Sequence, residues 1–287
     1  MTTAVPVPPR KPPRRLNWTA VAKHGVLLFA TVLVLLPGYF MIITAFKTQA
    51  GYSLNKFDFP HPFFTGNFVT AMRGGRFFLW FGNSIILAVG AVLLSTLVSA
   101  LAAYAFARMN FAGRNLMLAI NTALMVIPPV VMLIPLFLLL TRIDLVSTYP
   151  GATLVYAGLL TPFSIYLLTN FFRTVPHEIV ESALMDGAST LQILALILLP
   201  LSGPALVTLI VVNTLWVWND LLIALVLLPQ DNMRTLMVGI TVFGSRYNND
   251  VPVAMAGMLL ASLPMILLYL FGQRYFIRGL VAGALKG

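Results

Sequence analysis

The chain has 287 residues, of which 59% are hydrophobic and only 9% charged, and its mean hydropathy is +0.92. A soluble domain carries about 25% charged residues, so this composition excludes a soluble enzyme and a disordered chain. With no cysteine present, disulfide frameworks and thiolate metal sites are excluded as well.

Residues 1–24 open with MTTAVPVPPRKPPRR, a Pro-rich cationic arm suited to lying near anionic headgroups. A crossing helix needs about 20 mainly apolar residues. Six stretches meet this: Gly25 to Phe46, Leu79 to Ala107, Leu116 to Leu140, Ala152 to Phe172, Gly203 to Leu228 and Ala254 to Gly272. The first is too long for a signal-peptide core and no clear A-x-A cleavage site follows it, so it reads as an uncleaved span. Asp220 is the one formal charge within the six. Clean apolar interiors of that length predict an all-α integral membrane fold, with residues 25–287 as one six-helix domain.

Orientation follows from Lys and Arg in the connections. With the N-terminus inside, the inner segments hold eleven of them and three acids, against seven and four outside. Both termini are therefore expected in the cytoplasm. The net charge of +10 is accounted for by this bias and needs no nucleic-acid partner.

The chain lacks a G-x-x-x-x-G-K-[ST] loop, a G-x-S-x-G elbow and any metal-ligand spacing. No ladder of Asp, Glu and His crosses the spans to relay protons or hold a coupling cation. An ion-coupled carrier and a membrane enzyme both lose support on these grounds. Uphill transport by this chain would draw its energy from elsewhere.

One connection is long and patterned. Residues 173–202 join the fourth and fifth spans and read FRTVPHEIVESALMDGASTLQILALILLPLSG from Phe172. Pro176 suits a first helical turn, and Glu178 and Glu181 suit a helix N-terminus. Ile179, Val180, Ala183 and Leu184 share one apolar face, away from Glu178, Glu181 and Ser182. Gly187 then permits a sharp backbone turn. A second, apolar helix from Thr190 to Leu199 is expected to end at Pro200. A short amphipathic helix held on a tight turn fits a groove on a partner.

These residues resemble a known family. Glu181, Ala183, Gly187, Ile197, Leu199 and Pro200 are similar to the E-A-A-x3-G-x9-I-x-L-P loop of permease subunits of bacterial ABC importers. Ser182 replaces the middle Ala of that pattern, a small residue that preserves the helix. The resemblance extends over Asn83-Ser84, the AAYAFARMNFAGR segment (Ala102 to Arg114), LLTNFFRTVPHEI (Leu167 to Ile179) and Trp218-Asn219-Asp220. The ending QRYFIRGLVAGALKG resembles the carbohydrate branch, in particular its maltose-type G subunit.

The resemblance implies a type I importer permease in a bacterial inner membrane. It would pair with a second, different permease, two ATPase subunits and an extracytoplasmic solute-binding protein, and its cargo would be a sugar. It also implies no catalysis on this chain, with ATP and Mg held by the partner ATPase. The ATPase-coupling residues would be Glu178, Glu181, Ser182, Ala183, Asp186, Gly187, Ala188, Ile197, Leu199 and Pro200, and the tail Arg278 to Gly287 would add a second contact. A permease for glycerol phosphate or a polyol would carry the same loop. The outer connections, Lys47 to Phe78 and Pro229 to Pro252, would meet the binding protein.

Candidates for the translocation path are Asn83, Trp216, Trp218, Asn219 and Asp220. Asp220 has two readings: a cavity-facing carboxylate that binds sugar hydroxyls with Asn219, or a structural tie to the partner permease. Asn83 also suits helix packing or capping, and the tryptophans suit interfacial anchoring.

Overall fold

The computed structural model describes residues 18–73, 76–246 and 250–284, which leaves most of the N-terminal arm outside the described residues. Every regular element among them is helical. Four helices there are long and apolar enough to cross a membrane: Ala22–Ala45, Arg76–Arg108, Tyr149–Thr174 and Val251–Gln273. Six spans are reached when two bent helix pairs each count as one.

Helix α1 (Trp18–Ala45) begins ahead of the expected Gly25 and leaves most of its apolar side chains exposed, among them Val26, Leu28 and Phe29. Its end is closed by Asn67, whose Nδ2 donates to the carbonyls of Ala45 at 2.8 Å and Lys47 at 2.7 Å. The Ala45 carbonyl has no partner inside a helix that stops there. Two short helices, α2 (Gln49–Leu54) and α3 (Gly66–Met72), fill the following connection.

Helix α4 (Arg76–Arg108) runs beside α7 (Tyr149–Thr174) in the most extensive pairing of the bundle. Small residues make the close approach possible, since association inside a bilayer depends on backbone proximity rather than on exclusion of water. Ala88, Ala91, Ser95, Ser99 and Ala103 are all buried on α4. The Ser95 and Ser164 hydroxyls meet at 3.3 Å, and Asn213 Nδ2 donates to Ser164 Oγ at 2.9 Å, so a polar thread links three helices.

Two expected spans are not continuous. The stretch Leu116 to Leu140 divides into α5 (Arg114–Leu124) and α6 (Pro129–Arg142), bent by 102°. Pro128 and Pro129 bring no amide to a helical ladder, and each disfavours helix in the residue before it. Pro135, by contrast, lies inside α6, which runs straight through it in the sequence. Gly203 to Leu228 divides into α10 (Gly203–Asn219) and the short α11 (Leu222–Leu227). The break falls at Asp220 and Leu221.

Between α7 and α10 lie α8 (His177–Met185) and α9 (Thr190–Leu201), the latter meeting α10 at 81°. The chain continues as α12 (Leu236–Arg246) and α13 (Val251–Ala284). Three buried clusters hold the bundle together. One joins α4, α6, α7 and α11 around Leu87, Leu140, Tyr156 and Leu227. A second joins α4, α7, α8, α9 and α10 around Tyr104, Phe172, Val180, Leu198 and Leu209. The third sits at the other end of α4, around Trp80, Trp218, Leu236 and Ala261.

Candidate functional site: the α8–α9 loop and the broken spans

The turn from α8 to α9 is specified bond by bond. Asp186 ends α8 and Gly187 follows at φ 82°, a left-handed conformation open to glycine at no steric cost. The Gly187 amide donates to Leu184 O at 3.0 Å and the Ala188 amide to Ala183 O at 2.9 Å. This pair of bonds is a Schellman motif and satisfies the last free carbonyls of α8. The next residue starts α9 with a capping box. Ser189 N–H donates to Gln192 Oε1 at 2.8 Å, and Gln192 N–H donates to Ser189 Oγ at 3.4 Å. A helix stop and a helix start thus stand back to back.

Sequence reasoning found Gly187 but missed the Ser189–Gln192 box, although its S-x-x-Q spacing was legible. Pro176 stands just outside α8 as its cap, with extended backbone, rather than in the first turn. Glu178 takes the first-turn position expected of an acid.

The apolar face expected on α8 divides in two. Val180 is 6% exposed and packs with Ala183 and Ala188 into the second core cluster. Ile179, Leu184 and Met185 point away from the chain, and Met185 is 88% exposed. Glu178, Glu181, Ser182 and Asp186 are exposed around them. The helix is therefore anchored by one stripe and presents another, apolar at its tip and acidic at its flanks.

Ile197 and Leu199 are half-buried against the same cluster. Pro200 directly follows Leu199, just after a widened π-helical stretch at Leu194–Leu198. Proline supplies no amide for a regular i to i−4 bond, and a π turn accommodates such a gap. The helix passes Pro200 and ends at Leu201, one residue before the 81° bend.

The path candidates separate into two groups. Asn83 is 4% exposed, and its Nδ2 donates to Asn232 O and Arg234 O, both at 2.9 Å. Its Oδ1 accepts from Tyr149 Oη at 2.7 Å. Beside it, Trp80 Nε1 donates to Asp231 O at 2.9 Å, and Ser84 Oγ accepts from the Leu236 amide at 2.8 Å. Asp231 also pairs with Arg76 at 3.2 Å and Arg234 at 2.6 Å. Asn83 thus ties the α11–α12 connection to the start of α4. Trp218 is buried too, edge-on to Phe81 at 5.6 Å, with Nε1 donating to Ala261 O at 3.1 Å.

Trp216, Asn219 and Asp220 do come together, along a depression of about 620 Å³ that Pro129 and Val130 border from the neighbouring break. Asn219 donates back to Leu215 O of its own helix at 2.8 Å. Asp220 Oδ2 accepts from Tyr156 Oη at 2.6 Å and from the Ala224 amide at 3.0 Å. The carboxylate finds its partners inside this chain and starts the first turn of α11. Trp216 also borders a second pocket of about 620 Å³, mainly apolar and open on one side, lined by the α5–α6 bend, α7 and α10. The tail contact expected of Arg278 to Gly287 falls outside the described side chains.

Fold and loop define a multi-span membrane protein with one structured connecting loop. Residues 95–281 match the family described as binding-protein-dependent transport system inner membrane component. A putative ABC transporter permease protein of Caldicellulosiruptor sp. is 41% identical over 95% of this chain and 100% of its own length. The arabinooligosaccharides transport system permease protein AraQ of Halalkalibacterium halodurans is 30% identical over 97% of this chain and 99% of its own. The melibiose/raffinose/stachyose import permease protein MelC of Bacillus subtilis is 32% identical over 88% and 91%. Among solved structures, a chain of a bacterial ABC transporter involved in alginate import superposes with a TM-score of 0.82 at 23% identity, covering 93% of this chain and 100% of that one. The chain belongs to the binding-protein-dependent inner membrane components, the permeases of ABC transporters.

Proposed function

We propose that this chain is one of two permease subunits of an ATP-driven importer for a di- or oligosaccharide, and that α8 couples it to a separate ATPase. The observation that carries the reading is the division of α8. Its inward stripe fastens the helix to three spans, and its outward Ile179, Leu184 and Met185 remain exposed. An apolar helix tip braced in this way suits a groove on a partner, in the helix-in-groove mode of recognition. The sugar cargo is supported by the relatives named for arabinooligosaccharides and for melibiose, raffinose and stachyose.

In this reading both termini and α8 face the cytoplasm. The α11–α12 connection, pinned by Asn83, faces outward, where a solute-binding protein would deliver cargo. That partner is supported by a second alginate transporter structure, solved with an alginate pentasaccharide-bound periplasmic protein, which superposes with a TM-score of 0.66 at 18% identity. ATP and Mg act on the ATPase, and this chain catalyses nothing itself. Closure of the ATPase dimer pulls α8 and shifts the spans from inward-open to outward-open, in proportion to how much better ATP binds the closed state.

Purification from the native membrane in mild detergent, followed by mass spectrometry, tests the assembly. Recovery of an ATPase and a second permease is the expected result. A chain that emerges alone from an active preparation would contradict it.

A further inference from the structure

Arg108, the last residue of α4, is the one basic residue of that helix's final turn. Its Nη2 donates to Phe172 O at 2.5 Å and to Val175 O at 2.6 Å. Phe172 and Val175 are both buried, and Val175 immediately precedes Pro176, the cap of α8. The two carbonyls lie at the end of α7, where a helix leaves its last C=O groups unbonded and its dipole is negative. The end of α4 meets the end of α7 there, so two helix C-termini converge on one guanidinium. The Nε and Nη1 atoms are buried as well and find no hydrogen-bond partner among the described residues.

The position has a mechanical consequence. The Val175–Pro176 corner and the cluster beneath Val180 join α8 to the spans. A backbone corner without a brace would flex. Relying on the coupling role argued above, we propose that Arg108 is a positioning residue for coupling: it fastens the α7–α8 corner to α4, so that a displacement of α8 moves α4 and α7 as one body.

The test uses the assembled transporter with Arg108→Gln and Arg108→Lys, and reads the ratio of binding-protein-stimulated to basal ATP hydrolysis together with sugar uptake. Arg108→Gln should lower the stimulated increment and uptake roughly tenfold, the scale set by one charge-assisted hydrogen bond, with the subunits still co-purifying. Arg108→Lys should restore much of the loss, because an ammonium can still reach the two carbonyls. Unchanged stimulation in Arg108→Gln would overturn the proposal. So would failure of both variants to assemble, which would make Arg108 a folding residue. Gly187→Val, run in parallel, separates the two claims. If it too stays coupled, the role of α8 is wrong; if it alone uncouples, only the Arg108 brace is wrong.

Discussion

Gly187 shows how much a single backbone position can decide. An added Cβ would meet nothing within 4 Å, so space is not the constraint; φ of +82° is. A β-branched residue in that conformation costs on the order of 1–2 kcal/mol, whereas Asn visits it more readily. Gly187→Val should therefore abolish substrate-stimulated ATP hydrolysis while the chain still inserts in the membrane, and Gly187→Asn should keep most of it. Equal activity of the two variants in a reconstituted ATPase assay would show that the turn does not matter. Asn83 acts by its side chain instead. Asn83→Ala removes three hydrogen bonds from a buried site and should destabilise the purified protein by about 1–3 kcal/mol. Limited proteolysis should then cut the 229–235 segment faster than in the parent, and an unchanged cleavage pattern would count against the anchor. Gly187 was legible because its effect is local. The role of Asn83 was not, because its carbonyl partners lie 149 and 151 residues away.

At the scale of elements, α8 has an inward and an outward side that substitutions can tell apart. Val180→Asp would place a carboxylate in the second core cluster and should prevent accumulation of folded protein. Leu184→Asp, on a residue 53% exposed, should leave the permease folded and inserted but unable to retain the ATPase on size-exclusion chromatography. Retention by Leu184→Asp would move the docking face elsewhere. Hydropathy located the four spans that are single helices, and the period of 3.6 residues located α8. Neither registers direction, which is why two stretches that read as continuous spans are broken in the structure. Pro128 and Pro129 supplied a signal for the first break, though Pro135 looks alike in sequence and lies inside a continuous helix. For the second, Asp220 is the signal. It reads as a group for cargo or for a partner subunit, and within the chain its Oδ2 accepts from Tyr156 and from the amide of Ala224. The division of the α8 apolar face was likewise hidden, since periodicity groups Val180 with Leu184 without saying which one meets the core.

Across the whole molecule, the two ends of α4 carry different fixtures. One end holds the α11–α12 connection through Trp80, Asn83 and Ser84, and the other meets the α7–α8 corner. At 33 residues, α4 is about 50 Å long at 1.5 Å per residue, longer than a bilayer core requires. Under the proposed function it is a strut that links the face offered to a binding protein with the face offered to a motor. The breaks at 125–128 and 220–221 meet around one depression, bordered by Pro129, Trp216 and Asp220. The chain has no cysteine, so an engineered thiol is unique within it. Met185→Cys in the assembled transporter, exposed to a short bifunctional thiol-to-amine cross-linker with and without ATP, tests the coupling of α8 most directly. The account predicts one cross-linked product, the permease joined to the ATPase, with a yield that changes when ATP binds. Labelling of that thiol by a membrane-impermeant maleimide from outside the cell, with no ATPase adduct, would contradict it.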